Sequence, residues 1–84
     1  MNTNFAKVRE IFLAIAATDQ AHERERLDKE IGRIEQELRT VEAKLQNQAF
    51  VQRAPAAVVQ EHRRRLTDFS AQLERLQQAR EALN

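Results

Sequence analysis

From Leu27 onward the apolar side chains return at Ile31, Ile34, Leu38, Val41 and Leu45, in steps of 4, 3, 4, 3 and 4. Glu, Gln, Lys and Arg fill almost every position between them. This spacing lays one apolar seam along a helix, the a/d pattern of a coiled coil, and such a seam needs a partner to cover it. A second seam follows at Val59, His62, Leu66, Phe69, Leu73, Leu76, Arg80 and Leu83, again in steps of 3 and 4. Two seams of matched length predict that each covers the other. The expected fold class is therefore all-α, an antiparallel two-helix coiled-coil hairpin with a short N-terminal helical segment.

The reversal falls between Asn47 and Pro55. Asn47 suits the end of one helix, Pro55 suits the first turn of the next, and Ala54 is biased out of helical geometry by the proline that follows it. So short a connection excludes a parallel return. The expected boundaries are a helix over 19–46, a turn over 47–54 and a helix over 55–83, which sets Leu45 against Val59, Leu38 against Leu66, Ile31 against Leu73 and Leu27 against Leu76. Helices of about 25 residues would make a rod of roughly 40 Å. Gly32 lies inside the first helix, where it costs about 1 kcal/mol relative to alanine; it reads either as a tolerated surface glycine or as a point of close approach.

Residues 1–18 form a separate apolar segment in this reading. Phe5, Val8, Phe12 and Ile15 keep the 3 and 4 spacing, and Asn2, Thr3 or Asn4 would cap a short helix. A strand through Ile11–Ile15 is the alternative. Thr18 and Asp19 resemble a cap, which predicts a joint there. This segment must bury itself against the open end of the hairpin near Leu76 and Leu83 or against a second chain, and a homodimer is the expectation for the isolated protein.

At 84 residues the chain is one small domain, and a single glycine, a single proline and no Trp or Tyr fit long helices rather than a sheet. The absence of cysteine removes disulfides and thiolate metal sites. The longest apolar run, Ile11–Ala17, is too short to span a bilayer and lacks the cleavage region of a signal peptide. A cytoplasmic protein without membrane contact is expected. His22 and His62 lie on different helices with no clustered carboxylates, so neither a metal nor another cofactor is expected. The hydroxyls Thr3, Thr18, Thr40, Thr67 and Ser70 form no nucleophilic constellation, and a two-helix rod offers no pocket for dehydrating a substrate. A non-catalytic chain follows.

Charge changes the picture more than composition does. The net charge of +1 hides a local excess: from Arg39 to Arg65 there are six basic residues (Arg39, Lys44, Arg53, Arg63, Arg64 and Arg65) against Glu42 and Glu61, a local +4 on a remainder of −3. A positive pole at the end of a rod attracts a phosphate backbone, and arginine suits that task through its planar fork. The plainer reading is that Arg63, Arg64 and Arg65 solvate a helix face and pair with nearby Glu. Phe50, the aromatic of the turn, either plugs the end of the coiled coil over Leu45 and Val59 or stacks on an exposed base; Val51 beside it is an equal candidate for surface contact. His62, near Val41, reads as a packed imidazole, and Arg80 as a snorkelling side chain opposite Arg24.

The stretch Lys44-Leu45-Gln46-Asn47-Gln48-Ala49-Phe50-Val51-Gln52-Arg53-Ala54-Pro55-Ala56-Ala57-Val58-Val59 resembles the hairpin turn of the C-terminal arm of bacterial-type valyl-tRNA synthetases. That family carries Leu, x, Asn, two variable residues, Phe-Val, two variable residues, Ala-Pro, two variable residues and Val-Val, and each fixed element has its counterpart here. Glu23-Arg24-Glu25-Arg26-Leu27-Asp28-Lys29-Glu30-Ile31 is similar to the family's first arm helix, and the likeness extends from about Ile11 to the C-terminus.

The resemblance implies a coiled-coil arm that reaches from a synthetase body and holds the elbow of tRNA, where the D and T loops meet, so as to assist aminoacylation without catalysing it. A parent valine-tRNA ligase would be the enzyme. It implies tRNA contact by Phe50, Val51 and Arg53 at the turn, with Lys44, Arg63 and Arg64 flanking them. Two departures stand out. Phe12–Asp19 reads Phe-Leu-Ala-Ile-Ala-Ala-Thr-Asp where the family has a short glycine-containing stretch, and the nucleotide-binding signature of the catalytic domain is missing. With its own methionine, the chain is either an excised C-terminal piece or a free-standing arm homologue. The hairpins that end some ATP-binding-cassette translation factors share the heptads and a similar turn, and make a nucleic-acid-binding or protein-interaction hairpin the competing expectation.

Overall fold

The computed structural model describes the backbone of residues 3–83 and the side chains of residues 7–11 and 18–83. Among the described residues three helices follow one another: α1 over Thr3–Gln46, α2 over Gln48–Arg53 and α3 over Ala56–Ala82. There is no strand among the described residues. The molecule measures 78 × 16 × 14 Å, the cross-section of a helix pair and no more. No described helix is long and apolar enough to cross a membrane.

α1 and α3 pack as the antiparallel hairpin that the two seams predict. Leu27, Ile34 and Val41 of the first seam and Val59 and His62 of the second are buried, with Ile34 at 0 % exposure. Ile31, Leu38, Leu45, Leu66, Phe69, Leu73 and Leu76 are only half-buried, because a pair of helices has no third layer to close its flanks. At the open end Arg24 Nη1 donates to the Leu83 carbonyl at 3.5 Å. Arg80 Nε donates to the Asp28 carboxylate at 2.8 Å. The expectation of Arg80 lying opposite Arg24 with its head in water is corrected here: the half-buried stem reaches one turn nearer the tip and the guanidinium finds a carboxylate across the helix pair.

Two further expectations are corrected. The joint at Thr18–Asp19 is absent, and α1 runs unbroken through it. Thr and Asp are favoured as caps, yet neither breaks a helix when strong formers stand on both sides, here Ala14, Ala16 and Ala17 before and Gln20 and Ala21 after. The strand alternative through Ile11–Ile15 gives way to the same helix. The 47–54 turn, in turn, is mostly helical, since α2 occupies six of its residues.

α1 is about 66 Å long and α3 about 40 Å. With Leu83 held beside Arg24, the part of α1 before Arg24 extends past the end of α3. Val8 and Ile11 on this extension are 55 % and 59 % exposed, so the open end of the hairpin does not cover them. The side chains of Phe5, Phe12 and Ile15 lie outside the described residues.

Gly32 sits mid-helix on an exposed face, and a Cβ built there meets nothing within 4 Å. Between its two readings the geometry favours the tolerated surface glycine. Gly32→Ala is expected to stabilise the hairpin by about 1 kcal/mol, seen as a rise in Tm of roughly 5 °C by circular dichroism.

Candidate nucleic-acid interface

The tip is built by a short relay of backbone bonds. α1 ends at Gln46, and Asn47, extended at φ −82° and ψ 107°, turns the chain and caps α2. Its Oδ1 accepts from the Ala49 and Phe50 amides at 3.0 and 3.3 Å, which satisfies two of the donors that a helix start leaves open. Asn47 thus ends one helix and begins the next. α2 closes with the Ala54 amide donating to the Phe50 carbonyl at 2.8 Å. Pro55 then starts α3, its carbonyl accepting from Val58 and Val59 at 2.9 and 3.2 Å. α3 has neither a side-chain cap nor an acidic residue in its first turn, so its positive dipole end faces the tip without a counter-charge from its own helix.

The predicted contact residues divide into a cap and a shoulder. Phe50, Val51 and Arg53 share α2 and form the cap. Phe50 and Val51 are half-buried, and Arg53 is exposed in the last turn. Lys44, exposed in the last turn of α1, stands beside them. Arg63 and Arg64 lie farther back on α3, roughly 12 Å from its start, and border an open depression with Ala57, Gln60, Glu61 and Thr67.

Phe50 is not a free platform. Its ring packs edge-on against His62, with centroids 5.2 Å apart and planes at 66°. The ring thus docks on His62, a contact that seam spacing did not reveal. One part of the ring is docked while the residue as a whole stays half-exposed.

The three consecutive arginines are not equivalent. Arg64 Nη2 donates to Glu61 at 2.8 Å, and Arg65 Nε lies 3.5 Å from the same carboxylate. The hydrogen bond from Arg64, reinforced by the charges of Arg64 and Arg65, holds the Glu61 carboxyl below the usual range, and the Arg64 guanidinium is raised in return. Arg63, Arg53, Lys44 and Arg39 take part in no ion pair among the described residues. The stalk is different: Arg26 bonds Glu23, Lys29 lies 3.3 Å from Glu25, Arg33 2.6 Å from Glu30 and Arg80 2.8 Å from Asp28. Arg24, which bonds the Leu83 carbonyl, and Arg75 are the stalk's exceptions, and Lys7 and Arg9 on the extension of α1 also lack a carboxylate partner among the described residues. Four cations without carboxylate partners, Arg39, Lys44, Arg53 and Arg63, stand in the tip half of the rod, where Glu42 and Glu61 are the only acidic residues and a polyanion meets little internal competition.

The expected pairing of the arginine run with a nearby Glu is met by Arg64 and Arg65 and not by Arg63, as Glu at i with Arg at i+3 and i+4 allows. The Phe50–His62 contact could not be read from the sequence, because it depends on α2 folding back as a helix.

No group of three His, Cys, Asp or Glu side chains among the described residues is placed to hold a metal ion.

Comparison with known proteins gives one consistent result. The family model described as the valyl tRNA synthetase tRNA binding arm matches residues 19–84. The valine–tRNA ligase of Xylella fastidiosa strain 9a5c is 52% identical over 61 residues, covering 73% of this chain and 6% of that protein. That of Xanthomonas campestris pv. campestris strain B100 is 51% identical over 65 residues, covering 77% and 7%. That of Dechloromonas aromatica strain RCB is 48% identical over 58 residues, covering 69% and 6%. The chain thus spans less than a tenth of the length of these relatives. No solved structure gives a significant match. A helical hairpin with this tip sequence, matched by that model over most of its length, belongs to the family of valyl-tRNA synthetase tRNA-binding arms.

Proposed function

We propose that this chain grips tRNA at its elbow through the tip of the hairpin, with Phe50 and Val51 facing the stacked bases and Lys44, Arg53, Arg63 and Arg64 facing phosphates. One observation carries the reading: the Asn47, Phe50-Val51 and Ala54-Pro55 motif sits at the same end of the rod as the +4 charge excess, four of whose cations, Arg39, Lys44, Arg53 and Arg63, lack carboxylate partners. A rigid end with apolar cap and basic shoulder suits recognition of RNA by shape, in which phosphate contacts position and unpaired bases supply the stacking surface.

In this reading residues 19–84 are the arm proper and residues 1–18 an attachment segment. The arm raises tRNA affinity and fixes placement, and the joining of valine to tRNA belongs to a synthetase body of the kind its relatives possess. A tRNA ligand puts this work in the cytoplasm. Competition among tRNA, duplex DNA and ribosomal RNA fragments tests the reading. Preferential binding of tRNA is expected, and equal affinity for all three would remove the specificity and favour a general nucleic-acid-binding hairpin.

Glu61 acts against the basic shoulder in this scheme. Glu61→Gln is expected to free Arg64 and Arg65 and to tighten tRNA binding severalfold at low salt, with a steeper salt dependence. Filter binding across a salt series reads both effects.

Exposed Val8 and Ile11 favour self-association as a second role, in which the extension of α1 pairs with that of another copy. Sedimentation of the chain with and without residues 1–17 decides it: unchanged self-association after truncation would exclude the segment as its cause.

A further inference from the structure

His62 is an unusual occupant of its site. It stands on the seam of α3 between two aliphatic positions, Val59 and Leu66, and it is 8 % exposed, the polar side chain buried in the described core. A buried imidazole at such a position carries a desolvation cost that a leucine would not. Its ring is held by two contacts. Nδ1 lies 2.8 Å from the Val58 carbonyl one turn back on α3, and since a carbonyl only accepts, Nδ1 carries the proton. The ring then meets Phe50 of α2 in an edge geometry at 5.2 Å. No buried side-chain nitrogen or oxygen among the described residues lacks a partner, so Nε2 is not stranded in the core.

We infer that His62 is a positioning residue for the RNA-facing cap: pinned to Val58, it holds the ring of Phe50 and thereby sets the direction in which α2 presents Val51 and Arg53. α2 is a helix of one and a half turns, too short to hold its own orientation. At its start it is tied to Asn47, and at its end the chain passes straight through Ala54 and Pro55 into α3. Between those two ties, the aromatic contact is what fixes the rotation of α2 about its own axis, because edge-to-face pairs favour one mutual geometry where aliphatic packing accepts several. Phe50 and His62 come from different helices, so the contact couples the cap to the stalk.

This inference rests on the elbow-binding reading, and its test separates the two. Four proteins are compared with the wild type: His62→Leu, His62→Phe, Phe50→Ala and the Phe50→Ala/His62→Leu double variant. His62→Leu keeps the seam apolar, so the melting temperature is expected to hold or rise while tRNA affinity falls about fivefold, the scale of one aromatic pair. His62→Phe retains an aromatic ring at the site and is expected to keep most of the affinity. The double variant is expected to bind no more weakly than Phe50→Ala alone, since His62 acts through Phe50. The Phe50 ring resonances, read by NMR without RNA, are expected to shift toward those of an unstructured chain in His62→Leu and to stay dispersed in His62→Phe. Wild-type affinity in His62→Leu beside a weakened Phe50→Ala, or additive losses in the double variant, would overturn the inference. If the wild-type chain binds no tRNA, the elbow reading fails instead, and unshifted Phe50 resonances in His62→Leu would then overturn the positioning role on their own.

Discussion

Replacing Arg39, Lys44, Arg53 and Arg63 together with Gln is expected to weaken tRNA binding by about 100-fold at low salt and to flatten its salt dependence by nearly one unit of slope for each phosphate no longer neutralised. These four have no carboxylate partner among the described residues, so neutralising them removes charge available to a ligand without breaking an internal bond. The control changes net charge equally: Arg26, Lys29, Arg33 and Arg75 to Gln. Three of those are paired within the stalk, and exposed ion pairs contribute little to stability. The control is expected to fold as before and to lose less than about threefold in affinity, the residue of long-range attraction. Equal losses in the two proteins, measured by filter binding over a salt series, would mean that total charge and not the tip governs binding.

Ile34→Ala is expected to have the largest effect on stability. Among the described residues Ile34 is the one side chain at 0 % exposure, in the middle of the α1 seam. Truncating a fully buried isoleucine costs about 3 kcal/mol through reduced burial and the cavity left behind. A domain of this size holds only about 5–10 kcal/mol in total, so a fall in Tm of roughly 15 °C is expected by circular dichroism. Leu38→Ala, at a half-buried seam position, should lose less, because water already reaches part of the site and the flank can close. If the two substitutions cost the same, burial in the seam is not what holds the hairpin. Below its lowered Tm, Ile34→Ala should still bind tRNA, since its site lies along the stalk and the contacts lie at the tip.

Heptad spacing is a strong signal here because it is a local property repeated many times, and it delivers the all-α hairpin and the reversal near Asn47–Pro55; the tip motif delivers the family. What spacing cannot deliver depends on competition between local preferences. Thr18 and Asp19 resemble a cap, but a cap forms only where the backbone leaves the helix, and the alanines and glutamine around them keep it in. Asn47 does end α1 as its type suggests, while its role as the cap of α2 needs the Ala49 and Phe50 amides to turn inward.

The site is legible as a region rather than as a set of roles. The charge excess between Arg39 and Arg65 is plain in the sequence, whereas which guanidiniums are committed to Glu61 depends on rotamers. Phe50 and His62 each look ordinary alone. Their contact joins residues twelve apart in sequence through a helical α2, a geometry that neither seam encodes. Arg80 shows the same limit, since a seam position specifies where the stem packs and leaves open which carboxylate the head reaches.

A chemical footprint of the full chain on tRNA bears on the elbow grip more closely than any affinity. Protection is expected only at the D and T loops, and it should weaken in parallel when the four tip cations are neutralised. Protection at the anticodon or acceptor end, or a footprint unchanged without the tip charges, would refute that grip.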